Sequence, residues 1–116
     1  MDEIMASFEM KLTQAAFEAI ASGRKTIESR LFDEKRSVLK VGDVIEFSMA
    51  DNLYLKIAVK IKELHRFATF AELFSAFPAE NFGGSSKEDL LENIRNFYST
   101  SEEKKFGVVG IVIEKI

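Results

Sequence analysis

The run from Gly23 to Arg30, Gly-Arg-Lys-Thr-Ile-Glu-Ser-Arg, sets three cations and one carboxylate within eight positions, a density that core formation does not explain. Lys25 could serve as a base toward water if desolvation and the charges of Arg24 and Arg30 lowered its pKa, with Glu28 opposing them. Arg30 carries a planar, permanently charged head that can donate paired hydrogen bonds to a phosphate or a pyrimidine carbonyl. Strand geometry sets a condition on this set. In a regular pleat Thr26, Glu28 and Arg30 project to one side, and Lys25, Ile27 and Ser29 to the other. Lys25 therefore meets Glu28 only if Gly23 and Arg24 hold the chain in a turn until after Lys25. We expect that arrangement, because the alternative buries Lys25 beside Ile27. The competing reading is a strand-face pair of Glu28 and Arg30 that is worth little, with Lys25 solvated.

The rest of the composition narrows the chemistry. The chain has 116 residues, no Cys, no Trp, one Pro and one His. Disulfide scaffolds, thiolate nucleophiles, zinc knuckles and iron–sulfur clusters are excluded, and a relay needing two imidazoles is unavailable. No metal and no cofactor is expected. Any catalysis would rest on Lys25 and carboxylates. The net charge of −3 argues against a surface that binds long nucleic acid throughout, but the charge is divided. Residues 24–40 hold six cations against three acids, which leaves a local excess of +3 and −6 elsewhere. Such a segment steers a short anion. Lys56, Lys60 and Lys62 share a strand's outward face and could extend it, although a solvated exterior is the simpler account of them. His65 ends the same strand without a second ligand and reads as a surface or helix-entry residue.

The elements that must position these residues follow from periodicity. Residues 7–12 read as a strand, and Thr13 caps a helix with Ala16, Phe17, Ile20 and Ala21 on one stripe, ended by Gly23. Ile45, Phe47 and Met49 share one face of a strand over 44–49, and Asp51-Asn52 forms a hairpin turn. From 53 to 64, Leu55, Ile57, Val59 and Ile61 alternate with polar or small residues, the mark of a half-buried strand. Thr69 caps a helix through Phe77, and Phe67, Phe70, Phe74 and Phe77 repeat at core-packing intervals. Ser86 caps another that carries Leu90, Leu91, Ile94 and Phe97. The last strand, 108–113, is apolar on both faces and belongs inside the sheet, with Gly110 allowing a close neighbour. This order predicts one α+β domain over residues 1–116, a mixed, largely antiparallel sheet curled into a small barrel with flanking helices. The acidic start, Met1 to Ala6, is unlike a secretory signal, and the longest apolar run, Phe106 to Ile113, is too short to span a membrane, so a cytoplasmic location is expected.

The polar segment resembles the Gly-x-Lys-x-x-Glu-x-Arg signature of the ASCH domain family, relatives of the PUA barrels. The resemblance continues through Val41-Gly42-Asp43, the hairpin, the helical insert, Tyr98 and Gly107-Val108-Val109, and so covers nearly the whole chain. It implies a barrel with a cleft between strands and helices that faces RNA or a modified nucleoside or nucleotide. One branch of the family hydrolyses the acetamide of an N4-acetylated cytidine with a Lys, a Thr and a Glu. By that resemblance the Lys falls on Lys25 and the acid on Glu80 in Ala79-Glu80-Asn81, while the Thr position holds Glu28. Other members are ribonucleases or plain binding modules.

Three functions are consistent with these residues. The first is an RNA- or nucleotide-binding module using Arg24, Lys25, Glu28 and Arg30, with Phe82 and Tyr98 as exposed stacking rings. Gly83-Gly84 would make the loop 78–86 a lid over the cleft. The second is a small hydrolase, an acylcytidine amidohydrolase or a ribonuclease, in which Lys25 activates water and Glu80 shuttles the proton to the leaving group. The third is a protein-interaction domain whose cleft is filled by Phe side chains. The sequence identifies no protein partner.

Overall fold

A computed structural model describes residues 6–116; the acidic start at residues 1–5 lies outside the described residues. In chain order the elements are β1 (Ser7–Leu12), α1 (Gln14–Ala21), β2 (Ile27–Leu31), β3 (Val44–Met49), β4 (Asn52–Phe67), α2 (Phe70–Ala76), a single 3-10 turn (Ala79–Phe82), α3 (Lys87–Ile94), α4 (Thr100–Phe106) and β5 (Val108–Lys115). The five strands form one mixed sheet in the order β1-β3-β4-β5-β2. β1 runs parallel to β3, and every other pairing is antiparallel. The sheet curls into a half-barrel whose two outer strands, β1 and β2, leave an open seam.

Alternation along the strands decides what fills the half-barrel. Ile45 and Phe47 from β3, Val59 and Ile61 from β4, and Val109 and Ile111 from β5 are fully or almost fully buried, and Phe17 and Ile20 of α1 close over them. A second core lies where the helical insert meets β2 and the start of β5: Phe70, Leu73 and Phe74 of α2 and Leu90 and Ile94 of α3 pack with Ile27, Leu31 and Val108. Gly110 shows why the two cores fit together. A Cβ there would stand 2.6 Å from Leu73 Cδ1, so this interior strand accepts the α2 side chain only because the position has none.

Three expectations are corrected by the fold, and one element, α4, is additional to those expected. The turn between β3 and β4 is Ala50-Asp51 rather than Asp51-Asn52, because Asn52 already pairs with Met49. On α1 the third buried position is Ala19, whereas Ala21 is exposed at the helix end. The acidic and basic residues after Tyr98 form α4, started by a reciprocal cap in which Ser99 Oγ accepts from Glu102 N and Ser99 N donates to Glu102 Oε1. The regular alternation of β4 does not bury its first half: Leu55 is 45% exposed because β5 begins to pair only at Val59. Among the described residues no helix is long and apolar enough to cross a membrane.

Candidate functional site

The start of β2 is set by its neighbours. α1 ends at Ala21 with Ser22 as its C-cap, and Gly23 turns at φ +83°. Lys25 N then donates to Ala19 O at 2.9 Å, and Thr26 N to Asn81 O at 2.8 Å, so the pleat begins only at Ile27. This is the arrangement Lys25 needs to join Glu28. Its Nζ lies 2.8 Å from Glu28 Oε1, while Arg30, two residues on along the strand, places Nε 2.8 Å from Oε2. Arg30 also donates from Nη2 to Lys11 O at 2.9 Å, which ties β2 to β1 across the open seam.

Glu28 is buried, and both of its oxygens are held by cations. Burial alone would push its pKa up; the charges of Lys25 and Arg30 and their hydrogen bonds outweigh it and hold the carboxyl at about 2. Burial would make the Arg30 guanidinium easier to deprotonate, and Glu28 with the nearby Tyr98 phenol reverses this, raising its pKa. The result is an ionised carboxylate fixed between two cations that retain further N–H donors. The pair is thus no solvated strand-face bridge.

These donors face a cavity of about 150 Å³. Lys25, Glu28, Ser29 and Arg30 form its floor, Lys11 to Thr13 and Ala16 one wall, and Phe74, Phe82, Leu90, Asn93 and Ile94 the other, with Phe97 and Tyr98 at the rim. The size suits one ring or one phosphate rather than a length of polymer.

Four of the expected site residues take other places or faces. Arg24 is exposed in the turn before β2 and does not line the cavity. Glu80 is exposed in the 3-10 turn, also outside the cavity; what that segment supplies to β2 is the carbonyl of Asn81. Phe82 is no exposed ring. It is 4% exposed and packs edge-on to Phe74 at 4.9 Å, so it forms wall. Tyr98 is half-buried and stacks one ring face on Phe70 at 5.7 Å, which leaves it beside Arg30 rather than free in solvent. The loop expected as a lid is tied to the body by buried Phe82, by the Thr26–Asn81 bond and by Gly83, which lies against the Lys25 side chain.

The sequence reading missed Thr13, Ser29, Asn93 and, most of all, Phe97. Its spacing puts Phe97 on the apolar stripe of α3, but that helix ends at Ile94 and the following turn carries Phe97 to the rim, 52% exposed. A helix stop before residue 97 was the only signal available. His65 lies apart, 2.7 Å from Glu63 and edge-on to Phe77. Lys56 and Lys62 are half-exposed and face Glu46 and Glu114, so they add little free positive charge to the cleft. No group of three or more His, Cys, Asp or Glu able to hold a metal occurs among the described residues.

A curled mixed half-barrel with a charged cleft in its seam defines a domain of the PUA-like class. The ASCH domain model matches residues 10–116, and the chain belongs to that family. It is 38% identical to hypothetical protein PH0355, with a TM-score of 0.84, over 95% of this chain and 99% of that one. It is 37% identical to protein PF0455 from Pyrococcus furiosus, with a TM-score of 0.74, over 95% and 97% of the two chains. The ASCH protein from Zymomonas mobilis shares the fold at 15% identity and a TM-score of 0.67, over 91% of this chain and 65% of that one. No functionally curated protein matches the chain.

Proposed function

We propose that this domain binds RNA or a single nucleotide by drawing one unpaired base or phosphate into the seam cleft. The observation that carries this reading is the floor of the cavity, where Lys25 and Arg30 flank the ionised, buried Glu28 and still have N–H groups for a ligand's acceptors. Glu28 fixes both heads, so little conformational freedom is lost when a ligand arrives. After the carboxylate is counted the floor keeps one positive charge, which suits a phosphate or a carbonyl edge. Phe97 at the rim offers an exposed ring for stacking.

NMR titration with short RNAs, cytidine and N4-acetylcytidine tests it. Signals of Lys25, Glu28, Arg30 and Phe97 should move together and saturate, and Arg30→Ala should abolish the shifts. No movement at millimolar ligand would overturn the proposal.

The hydrolytic reading has weaker support. Glu80 lies outside the cavity, and both oxygens of Glu28 are held by Lys25 and Arg30, so neither carboxylate stands free at the floor to take up a proton and pass it on. Turnover of N4-acetylcytidine that disappears in Lys25→Ala would restore it. A domain that has lost its ligand site fits less well, because Phe74 and Phe82 form one wall of the cavity and leave it open.

A further inference from the structure

The main-chain hydrogen bonds of β2 can be followed residue by residue. Ile113 N donates to Thr26 O at 2.9 Å and Phe32 N to Gly107 O at 2.9 Å, and between these two bonds the pairing with β5 runs without a register shift. Glu28 and Arg30 therefore turn their N–H and C=O groups to β5, while Ile27, Ser29 and Leu31 turn theirs outward to the open seam. On the facing strand, Val44 N donates to Ala6 O and Ala50 N to Leu12 O, so the groups of Lys11 point into the seam from the other side. The two rims do not pair. Arg30 spans the gap between them and donates to Lys11 O. That carbonyl is satisfied, whereas no group of the described residues bonds Ser29 N or Ser29 O. Ser29 is half-buried and lines the cavity with Lys25 and Arg30. Native structures rarely leave such a backbone pair open unless water or a ligand completes it.

We propose that Ser29 reads the imide edge of a uracil-type base with its main chain, Ser29 O accepting from the ring N–H and Ser29 N donating to a carbonyl beside it. This rests on the binding reading above and names the part of the ligand that the cleft selects. In an extended strand the outward N–H and C=O of one residue lie side by side. A neighbouring strand meets them with its own N–H and C=O, and a cyclic –CO–NH– group can meet them in the same way. Lys25 and Arg30 offer donors only, so they suit an acceptor next to that pair. Uracil satisfies both demands in either orientation, because its N–H stands between two carbonyls: one takes Ser29 N, and the other is left for a cation head. Adenine carries a C–H where that second acceptor is needed, and a phosphodiester offers Ser29 O no donor. The cavity's size admits one such ring, and its apolar wall of Phe74, Phe82 and Ile94 suits a ring face.

Because the reading groups belong to the main chain, the ligand is the part to alter. Uridine 5′-monophosphate and its N3-methyl derivative carry the same phosphate and the same two carbonyls, and the methyl group removes the ring donor. In NMR titrations the N3-methyl compound should bind at least about tenfold more weakly, since Ser29 O is then covered without a partner. Uridine 5′-monophosphate should move the Ser29 amide proton and carbonyl carbon downfield and slow the exchange of that amide with solvent. Ribose 5-phosphate, the same molecule without its base, should leave both Ser29 signals in place. Equal affinity for the two nucleotides, or unmoved Ser29 signals while Lys25 and Arg30 respond, overturns this inference and leaves the binding reading standing. No response at Lys25 or Arg30 to any of the three ligands overturns both.

Discussion

Among the described residues two glutamates, Glu28 and Glu103, are buried, and they are used differently. Glu103, on α4, accepts at Oε1 from Phe70 N at 2.6 Å and at Oε2 from Arg95 Nη2 at 2.9 Å. It thereby holds a donor at the start of α2 and fixes α4 against the helical insert. Arg95 is about one-third exposed, so solvent shares its charge. Glu28 accepts from side chains instead. Both of its partners are side-chain cations, each nearly as buried as the carboxylate, and all three line an open cavity. One carboxylate is consumed in assembling the fold, whereas the other arranges donors for something outside it. A buried ion cluster costs desolvation that apolar residues would avoid, so its retention at a cavity is a mark of function more than of stability.

Removing each acid separates the two roles, and the larger effect is expected at Glu28. Glu28→Ala leaves two cations buried without a counter-charge and should lower stability by about 3–5 kcal/mol in chemical denaturation, with loss of ligand binding. Glu103→Ala leaves the Phe70 N–H unsatisfied but lets Arg95 turn to water, and should cost roughly 1–3 kcal/mol while binding persists in the folded fraction. Equal losses for the two variants would mean that the seam cluster is no more desolvated than the α4 anchor.

Acid titration probes the same cluster. The carboxyl of Glu28 drops from an ordinary 4.5 to about 2 on folding, so the unfolded chain takes up a proton first as pH falls. The stabilisation is complete above pH 4.5 and disappears between there and pH 2, a loss on the order of 3 kcal/mol. Urea midpoints measured across that window should fall for the wild type and show a shallower dependence in Glu28→Gln. An identical slope in the variant would assign the acid sensitivity to other carboxylates.

The fold was legible in the sequence to the extent that it follows local periods. The alternation of Ile45, Phe47 and Met49 and of Val59 and Ile61 predicted the barrel face, and Thr69 and Ser86 stand as the helix caps they were read to be. The turn at Gly23, inferred from the need to bring Lys25 to Glu28, is present. What escaped depends on contacts far apart in the chain. Nothing near Glu103 indicates that its acceptor role lies 33 residues away at Phe70. The exposure of Leu55 depends on where β5 ends, and the exclusion of Glu80 from the cleft depends on a 3-10 turn that brings a carbonyl, not a carboxylate, to β2. Alternation and capping report which face an element presents; they do not report what the rest of the chain leaves uncovered.

The smallest expected effect on stability is at Phe97, where the comparison can be made most sharply. The ring is more than half exposed and belongs to neither buried core, so Phe97→Ala should move the denaturation midpoint little, within about 0.5 kcal/mol. If it stacks a base over the Lys25–Glu28–Arg30 floor, the same substitution should weaken binding by about 1–3 kcal/mol, as measured by the NMR titration. Glu103→Ala predicts the reverse, a stability loss without a binding loss, and Glu28→Ala predicts both. A phosphate-only ligand makes no use of a ring and should bind Phe97→Ala as it binds the wild type. Comparing a nucleotide with inorganic phosphate on this one variant therefore tells whether the cleft recognises a base or only an anion.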